Sequence, residues 1–421
     1  MHRARNIVAF VVLFAGICFG QNVSSSDQET IHLLVQQVKE LQEKVSALEA
    51  KQGSQPAPPA EAKSAMVQPA QEPSEMQQPA AFDLHEVHGI QWRGFGEVNY
   101  KALDQRQPEL GTFGFVPGSA ANFYTGDFDL FLTSKITDKT SVLAELVFGQ
   151  GDAQSFDVDL ERVLLKYDYN DHLKMSFGRY HTGIGYYNTA FHSGKWLQTT
   201  ADRPLIMEFA NDGGLLPTQA VGVSMTGLIP SGKLGLNYTF EYGSSDTIRP
   251  EVDINDGEVD ENNGNHFNVG FFVRPDAIPG LQIGASVYHD KISDFNRGPS
   301  VRLGQTITNV HAVYVARGVE FLSEGFLIHH AYEEHGPVYN TSSFYAQISK
   351  SFARYRPFFR YQYINANPDS LFEDVGLRHG PSFGARYDFN DSVALKAQLD
   401  HTFRKGEPDL NGLQLQLAFT F

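Results

Sequence analysis

The chain has 421 residues, a formal net charge of −16 and a mean hydropathy of −0.30. That length exceeds one ordinary soluble core, the acidic balance argues against a nucleic-acid binder, and past the N-terminus no run reaches the ~18 apolar residues of a membrane helix. A transmembrane β-barrel stays compatible with such polarity because it shows lipid only every second residue, and 38 glycines, 32 phenylalanines and 18 tyrosines suit its tight turns and interfacial rings.

Residues 1–20 read as a secretory signal. His2, Arg3 and Arg5 form a basic start, Ile7 to Cys18 an apolar stretch too short to span a bilayer, and Cys18-Phe-Gly20 a small-residue cleavage site before Gln21. Cys18 is the only cysteine and follows Ile17, where a lipoprotein signal has Gly or Ala. It is therefore assigned to the removed peptide, and the mature chain is expected to carry no disulfide or thiol chemistry. Within residues 21–51, Ile31, Leu34, Val38, Leu41, Val45 and Leu48 alternate spacings of three and four, as the a and d positions of a short α-helical coiled coil do; a solitary amphipathic helix is the plainer alternative. Residues 52–82 are rich in Pro, Ala and Gln, lack core-forming residues and read as a linker.

Residues 83–421 read as an all-β transmembrane barrel of 16 antiparallel strands. Alternating segments lie at about 90–101, 123–137, 140–149, 158–169, 172–180, 218–229, 233–242 and 265–274, then at 281–289, 307–316, 319–330, 342–352, 355–365, 380–389, 392–404 and 412–421. Short connectors such as Asn170-Asp171 and Arg317-Gly318 alternate with long ones, so the even strand set has short turns at one end and long loops at the other. Leu413, Leu415, Leu417, Phe419 and Phe421 share one, purely apolar parity of the last strand, and Gln414, Gln416, Ala418 and Thr420 lie on the other, mostly polar one. Tyr355, Pro357, Phe359, Tyr361 and Tyr363, and Val393, Leu395, Ala397, Leu399 and Phe403, are the expected lipid faces of their strands. Phe421 should then pair with the strand near Gln91 to Tyr100.

The longest connector, 181–217, is too apolar for a solvated tip: Trp196, Leu197, Leu205, Ile206, Met207 and Phe209 must pack on something. The inner wall of the barrel is the available surface; a subunit contact or an outer cap are the alternatives. Folded inward, the loop would narrow the pore, with His192, Lys195, Trp196, Gln198, Arg203 and Glu208 at the constriction. Basic residues of inward parity form a ladder of Arg162, Lys166, Arg356, Arg360, Arg386, Lys396 and Arg404. It either attracts anions or pairs with inward acids such as Glu97, Asp127, Asp129, Glu145, Asp388 and Asp400.

In this order the Phe177-Gly-Arg179 strand end, the Gly185-Tyr-Tyr-Asn188 turn, the long third loop with Arg203-Pro204 and an acidic residue, and the terminal phenylalanine resemble outer-membrane porins of the phosphate-selective O/P type and their relatives. The resemblance covers about 83–421 and is one of layout. It implies a non-enzymatic channel, without cofactor, in the outer membrane of a Gram-negative-type bacterium, in contact with lipid and lipopolysaccharide. Several relatives carry an N-terminal coiled coil and are trimers, which implies a homotrimer with its coiled coil in the periplasm. The third loop has a single lysine, Lys195, in place of a phosphate-type cluster.

The chain thus reads as a porin for diffusion of small hydrophilic solutes, with anions a candidate class. The alternative is a structural protein tethered to the cell wall through the coiled coil. Residues 253–261 approximate a calcium loop but miss its spacing, and a solvated acidic loop is the plainer reading. No histidine pair stands in a zinc motif, and no metal site is expected.

Overall fold

The computed structural model describes residues 85–87, 89–105, 121–150, 156–208, 215–245, 265–293, 301–333, 335–367 and 375–421. The expected signal peptide, coiled coil and linker, Phe209 of the long connector and the acidic segment 253–261 lie outside the described residues.

Seventeen strands form among the described residues: β1 (His85–Val87), β2 (Ile90–Leu103), β3 (Ala121–Lys135), β4 (Thr140–Gln150), β5 (Phe156–Asn170), β6 (Leu173–His181), β7 (Gln219–Ile229), β8 (Leu236–Ser245) and β9 (His266–Val273), followed by β10 (Leu281–Ser293), β11 (Arg302–Ala316), β12 (Val319–Tyr332), β13 (Val338–Lys350), β14 (Tyr355–Asn365), β15 (Leu377–Asp388), β16 (Val393–Arg404) and β17 (Leu410–Thr420). From β2 to β17 each strand pairs antiparallel with the next, and β17 returns to β2, closing a sixteen-stranded barrel without a free edge. Phe421 donates to and accepts from the Gly94 backbone, as the parity of the last strand requires. Its ring lies edge-on to Trp92 and stacks on Phe128, at centroid distances of 5.8 and 5.6 Å.

The strand set departs from the sequence expectation at β1 and at the start of β8. The three-residue β1 pairs with the start of β2 and is extra to the barrel. The strand expected at 233 starts at Leu236, because Gly232–Leu234 form a 3-10 turn that ends on left-handed Gly235 at φ 60°. The expected faces hold. Tyr355, Phe359, Leu395, Leu399, Phe403, Leu413, Leu415 and Leu417 are outward and exposed, whereas Arg360, Gln362, Arg386, Lys396, Gln398 and Arg404 are inward and buried.

Parity is interrupted in β5. Its register with β4 runs Glu145 to Arg162 and then Leu146 to Leu160, leaving Glu161 as the extra residue of a β-bulge. Val158, Leu160, Val163 and Leu165 remain exposed, while Glu161 is buried and Arg162 largely so. The bulge therefore turns two consecutive charged side chains to the same, inner side. The inner wall is also less uniformly polar than expected. Tyr288, Ile292, Leu303, Ile307, Leu322, Phe326, Ile328, Tyr345 and Ile364 of β10 to β14 are buried on it.

Candidate functional site

The segment 182–218 between β6 and β7 supplies what covers that apolar wall. Its base is pinned: the Thr182 amide donates to the Thr218 carbonyl (2.9 Å), and Asn188 Nδ2 donates to the carbonyls of Thr182 and Thr218 at 2.9 and 2.8 Å. Among its described residues, 182–208 and 215–218, are two short helices, α1 (Tyr187–Phe191) and α2 (Leu205–Glu208), and a 3-10 turn at Lys195–Leu197. These helices are too short to persist on their own, so packing must hold them. Ile184, Tyr186, Tyr187, Leu205, Ile206, Met207, Leu215 and Leu216 join the apolar cluster of β10 to β14. On the other side Trp196 packs with Phe95, Phe131, Ala394 and Ala418 of β2, β3, β16 and β17. The segment thus meets inward-facing residues of opposite walls.

Two glycines permit this path. Gly185 has φ 80°, and a Cβ there would meet the Glu324 carboxylate. That carboxylate accepts from the Tyr186 and Tyr187 amides (2.7 and 2.9 Å) and from the Tyr345 hydroxyl (2.7 Å). Gly194 has φ 73°, and its Cβ would lie 2.8 Å from Phe95 Cγ. The turn Gly185-Tyr-Tyr-Asn188 is therefore a docking element: a bare backbone seats on one acid while two rings enter the apolar wall.

Much of the basic ladder bonds to the loop. Arg386 Nη1 donates to the carbonyls of Trp196 (2.6 Å) and Gln198 (3.0 Å), with its guanidinium 4.5 Å over the Trp196 ring. Lys396 Nζ donates to the carbonyls of Lys195 and Thr200. Arg360 Nη1 donates to Asp202 O (3.0 Å) and Thr200 Oγ1 (3.3 Å), and Arg356 Nη1 to Thr199 Oγ1 (3.3 Å). Gln398 Oε1 accepts from the Ala201 amide at 3.0 Å, and Gln362 Oε1 from the Leu205 amide at 2.9 Å. Buried carbonyls and amides need such partners, and the inward strand residues supply them.

The remaining expected site residues fall elsewhere. Arg162 pairs with Glu145 and donates to Ser193. Lys166 lines a cavity of about 110 Å³ between the loop and the strands from β4 to β11, with Lys174, Ser176, His181, Asn237 and His311. Arg404 sits near the long-loop end on Glu407 (3.0 Å) and the Pro408 carbonyl. With Lys101, Arg360, Arg378, Asp202 and Asp400 it lines a second cavity, of about 50 Å³. Arg203 donates to the His192 carbonyl at 2.9 Å, Gln198 to the Phe191 carbonyl at 3.0 Å, and Glu208 ends α2.

Charges on the loop are balanced locally. Asp202 is bridged by Lys101 (3.3 Å) and accepts from Gln414 (2.7 Å). Burial raises its carboxyl, but Lys101 and then Lys195 outweigh this and hold it below the ordinary range. Burial likewise pulls the Lys195 ammonium down, yet Glu97, with Tyr124, Asp127 and Asp202, more than offsets it and leaves the group above the lysine range.

Sequence reading missed one constellation. The β5 bulge aims Glu161 at two histidines: His181 Nε2 lies 2.9 Å and His192 Nε2 2.8 Å from the same Glu161 Oε1. The two imidazole centroids are 4.3 Å apart. Burial, then Arg203, lowers the His192 pKa, keeping that ring neutral at pH 7. Strict alternation puts Glu161 on the outer, apolar face, and the signal available was that misfit: a carboxylate at an outward position beside Arg162.

No family model and no curated protein sequence matches the chain. Solved structures do. In-vitro folded OmpT of Vibrio cholerae, an outer membrane protein in a trimer form, superposes at TM-score 0.53 and 12% identity, over 79% of this chain and 99% of that one. An anion-selective porin from Comamonas acidovorans gives TM-score 0.52 and 13% identity, over 79% and 99%. The fold is porin-like. Outer-membrane-expressed OmpT of Vibrio cholerae, at TM-score 0.52 and 11% identity over 80% and 100%, agrees with it. At these identities the likeness is one of architecture.

Proposed function

We propose that the chain is an outer-membrane porin: a barrel that lets small hydrophilic solutes diffuse past an inward third loop. The observation that carries this reading is the combination of an apolar outer face with cavities that charged side chains such as Lys166, Lys174, Lys101 and Arg404 border, left beside a loop bonded to opposite inner walls. A closed barrel satisfies every backbone group without water, which is what a lipid bilayer demands of a strand protein. In this reading the constriction is formed by His192, Lys195, Trp196, Gln198, Arg203 and Glu208. The loop backbone uses Arg386 and Lys396 as anchors, so these two cations shape the passage more than they line it, whereas Arg360 both anchors the loop and borders the smaller cavity.

Anions are the favoured solutes at the smaller cavity, where Lys101, Arg360, Arg378 and Arg404 face Asp202 and Asp400. Phosphate selectivity is not part of the proposal, since the loop has one lysine. The partners in this reading are outer-membrane lipid, lipopolysaccharide and two further copies of the chain, with 21–51 in the periplasm. The deciding experiment is single-channel conductance of the purified chain in planar bilayers, with reversal potential in a salt gradient. Stepwise conductance with an anion-directed reversal potential is expected; a silent bilayer refutes the channel.

The heptads of 31–51 favour a second role, a tether to the cell wall. Deleting 21–82 separates the two: loss of envelope integrity with conductance retained identifies the tether as the main role.

A further inference from the structure

Glu161, His181 and His192 are each at least nine-tenths buried, and their ligating atoms all lie within 4.8 Å of one another. Three separate devices bring them together. The β5 bulge turns Glu161 inward, His181 ends β6, and His192 follows α1 on the loop. Both Nε2 atoms point at one carboxylate oxygen rather than at two different acceptors. Asp129 and Glu145 both lie close enough to Glu161 to repel it, so the surroundings hold three carboxylates against two guanidiniums, Arg162 on Glu145 and Arg203 at the His192 carbonyl. His181 and Arg162 also border the 110 Å³ cavity, which gives water and ions a route to the cluster.

We propose that Glu161, His181 and His192 bind one divalent transition-series cation of the zinc class, which clips the loop to the β5–β6 wall. Two imidazoles and a carboxylate are a borderline nitrogen and oxygen donor set, suited to zinc and poorly suited to magnesium or calcium. Zinc bonds of about 2.0–2.2 Å at tetrahedral angles place donors roughly 3.3 Å apart. The present 2.8 and 2.9 Å separations therefore open by about half an ångström as the ion replaces two N–H···O hydrogen bonds. Three protein ligands leave a fourth position for water from the cavity, the pattern of an exchangeable site. The proposal concerns the attachment of the loop and does not depend on transport.

The test uses the full chain, folded in detergent and stripped with a chelator. Zn²⁺ is titrated by calorimetry and Co²⁺ by visible absorption. One ion per chain and the intense bands of four-coordinate Co²⁺ are expected. Glu161→Gln and His192→Asn should each weaken binding beyond the roughly 10- to 100-fold typical of losing an outer-shell partner, while His401→Gln, on the exposed β16 end, changes nothing. X-ray absorption on the zinc-loaded wild-type chain keeps the proposal testable where a variant misfolds: two imidazole ligands are expected. Absence of saturable binding, a zinc shell without imidazole, or full binding in both site variants overturns it and leaves a plain hydrogen-bonded clip. A silent bilayer with zinc bound at this site refutes the porin reading alone.

Discussion

Replacing Arg386 with methionine keeps an unbranched stem in the wall and removes the fork that holds the loop. The native side chain is 9% exposed, so its bonds to the Trp196 and Gln198 carbonyls are little screened by solvent. A hydrogen bond from a charged donor contributes about 1.5–3 kcal/mol net, and a desolvated cation over tryptophan about 2 kcal/mol. These terms overlap, and about 3 kcal/mol of loop anchorage is a conservative figure for their joint loss. Since 1.4 kcal/mol is a factor of ten, the ratio of attached to detached loop falls by roughly two powers of ten. Asp388, which loses its 2.7 Å partner, is partly exposed and recovers water. The assay is single-channel recording, with the barrel verified by heat-modifiable migration on a gel. Arg386→Met should show larger or visibly noisier openings, while Lys291→Gln, which removes the exposed Lys291–Glu333 pair at 3.0 Å, should match wild type. Identical conductance and noise in a folded Arg386→Met barrel would refute the view that this arginine holds the loop.

Gly185→Ala places a Cβ at φ 80° against the Glu324 carboxylate and should cost about 1–3 kcal/mol through backbone strain, read as a lower urea midpoint in detergent; an unchanged midpoint contradicts the docking role of the turn. Leu415→Arg puts a charge on the outer face near the middle of β17 and should destabilise the barrel in vesicles by about 2–4 kcal/mol, with little effect in detergent that wraps the charge; equal stability in vesicles argues against a lipid face there. Asp202→Asn has a pH signature. The folded carboxyl is held below its unfolded value of about 3.9, so its stabilisation is complete above about pH 4 and lost as pH falls through the depressed value. The gap in loop noise between wild type and Asp202→Asn should be constant from pH 5 to 8 and close below pH 4; a gap that closes near pH 7 assigns the effect to another group.

The strand count, the turn ends and the two faces were legible in the sequence because side-chain alternation is local: Leu413 to Phe421 carry their orientation in their own order. The excess of apolar residues in 181–217 likewise announced a loop that must be covered. What covered it was not legible. Ile307, Phe326 and Tyr345 read as ordinary strand residues until the barrel closes and puts them opposite Ile206 and Tyr187. The ladder of Arg360, Arg386 and Lys396 was visible, but its partners are main-chain carbonyls of a loop about 160 to 200 positions away, and carbonyls carry no sequence signature. Glu161 shows the limit most clearly. One inserted residue in β5 reverses the parity rule and joins it to His181 and His192, and only the register against β4 decides where that insertion falls. The sequence by itself determined the wall, through a period of two that each strand carries alone. The tertiary structure decided the interior, because inward groups find partners by closure of the barrel and not by spacing along the chain.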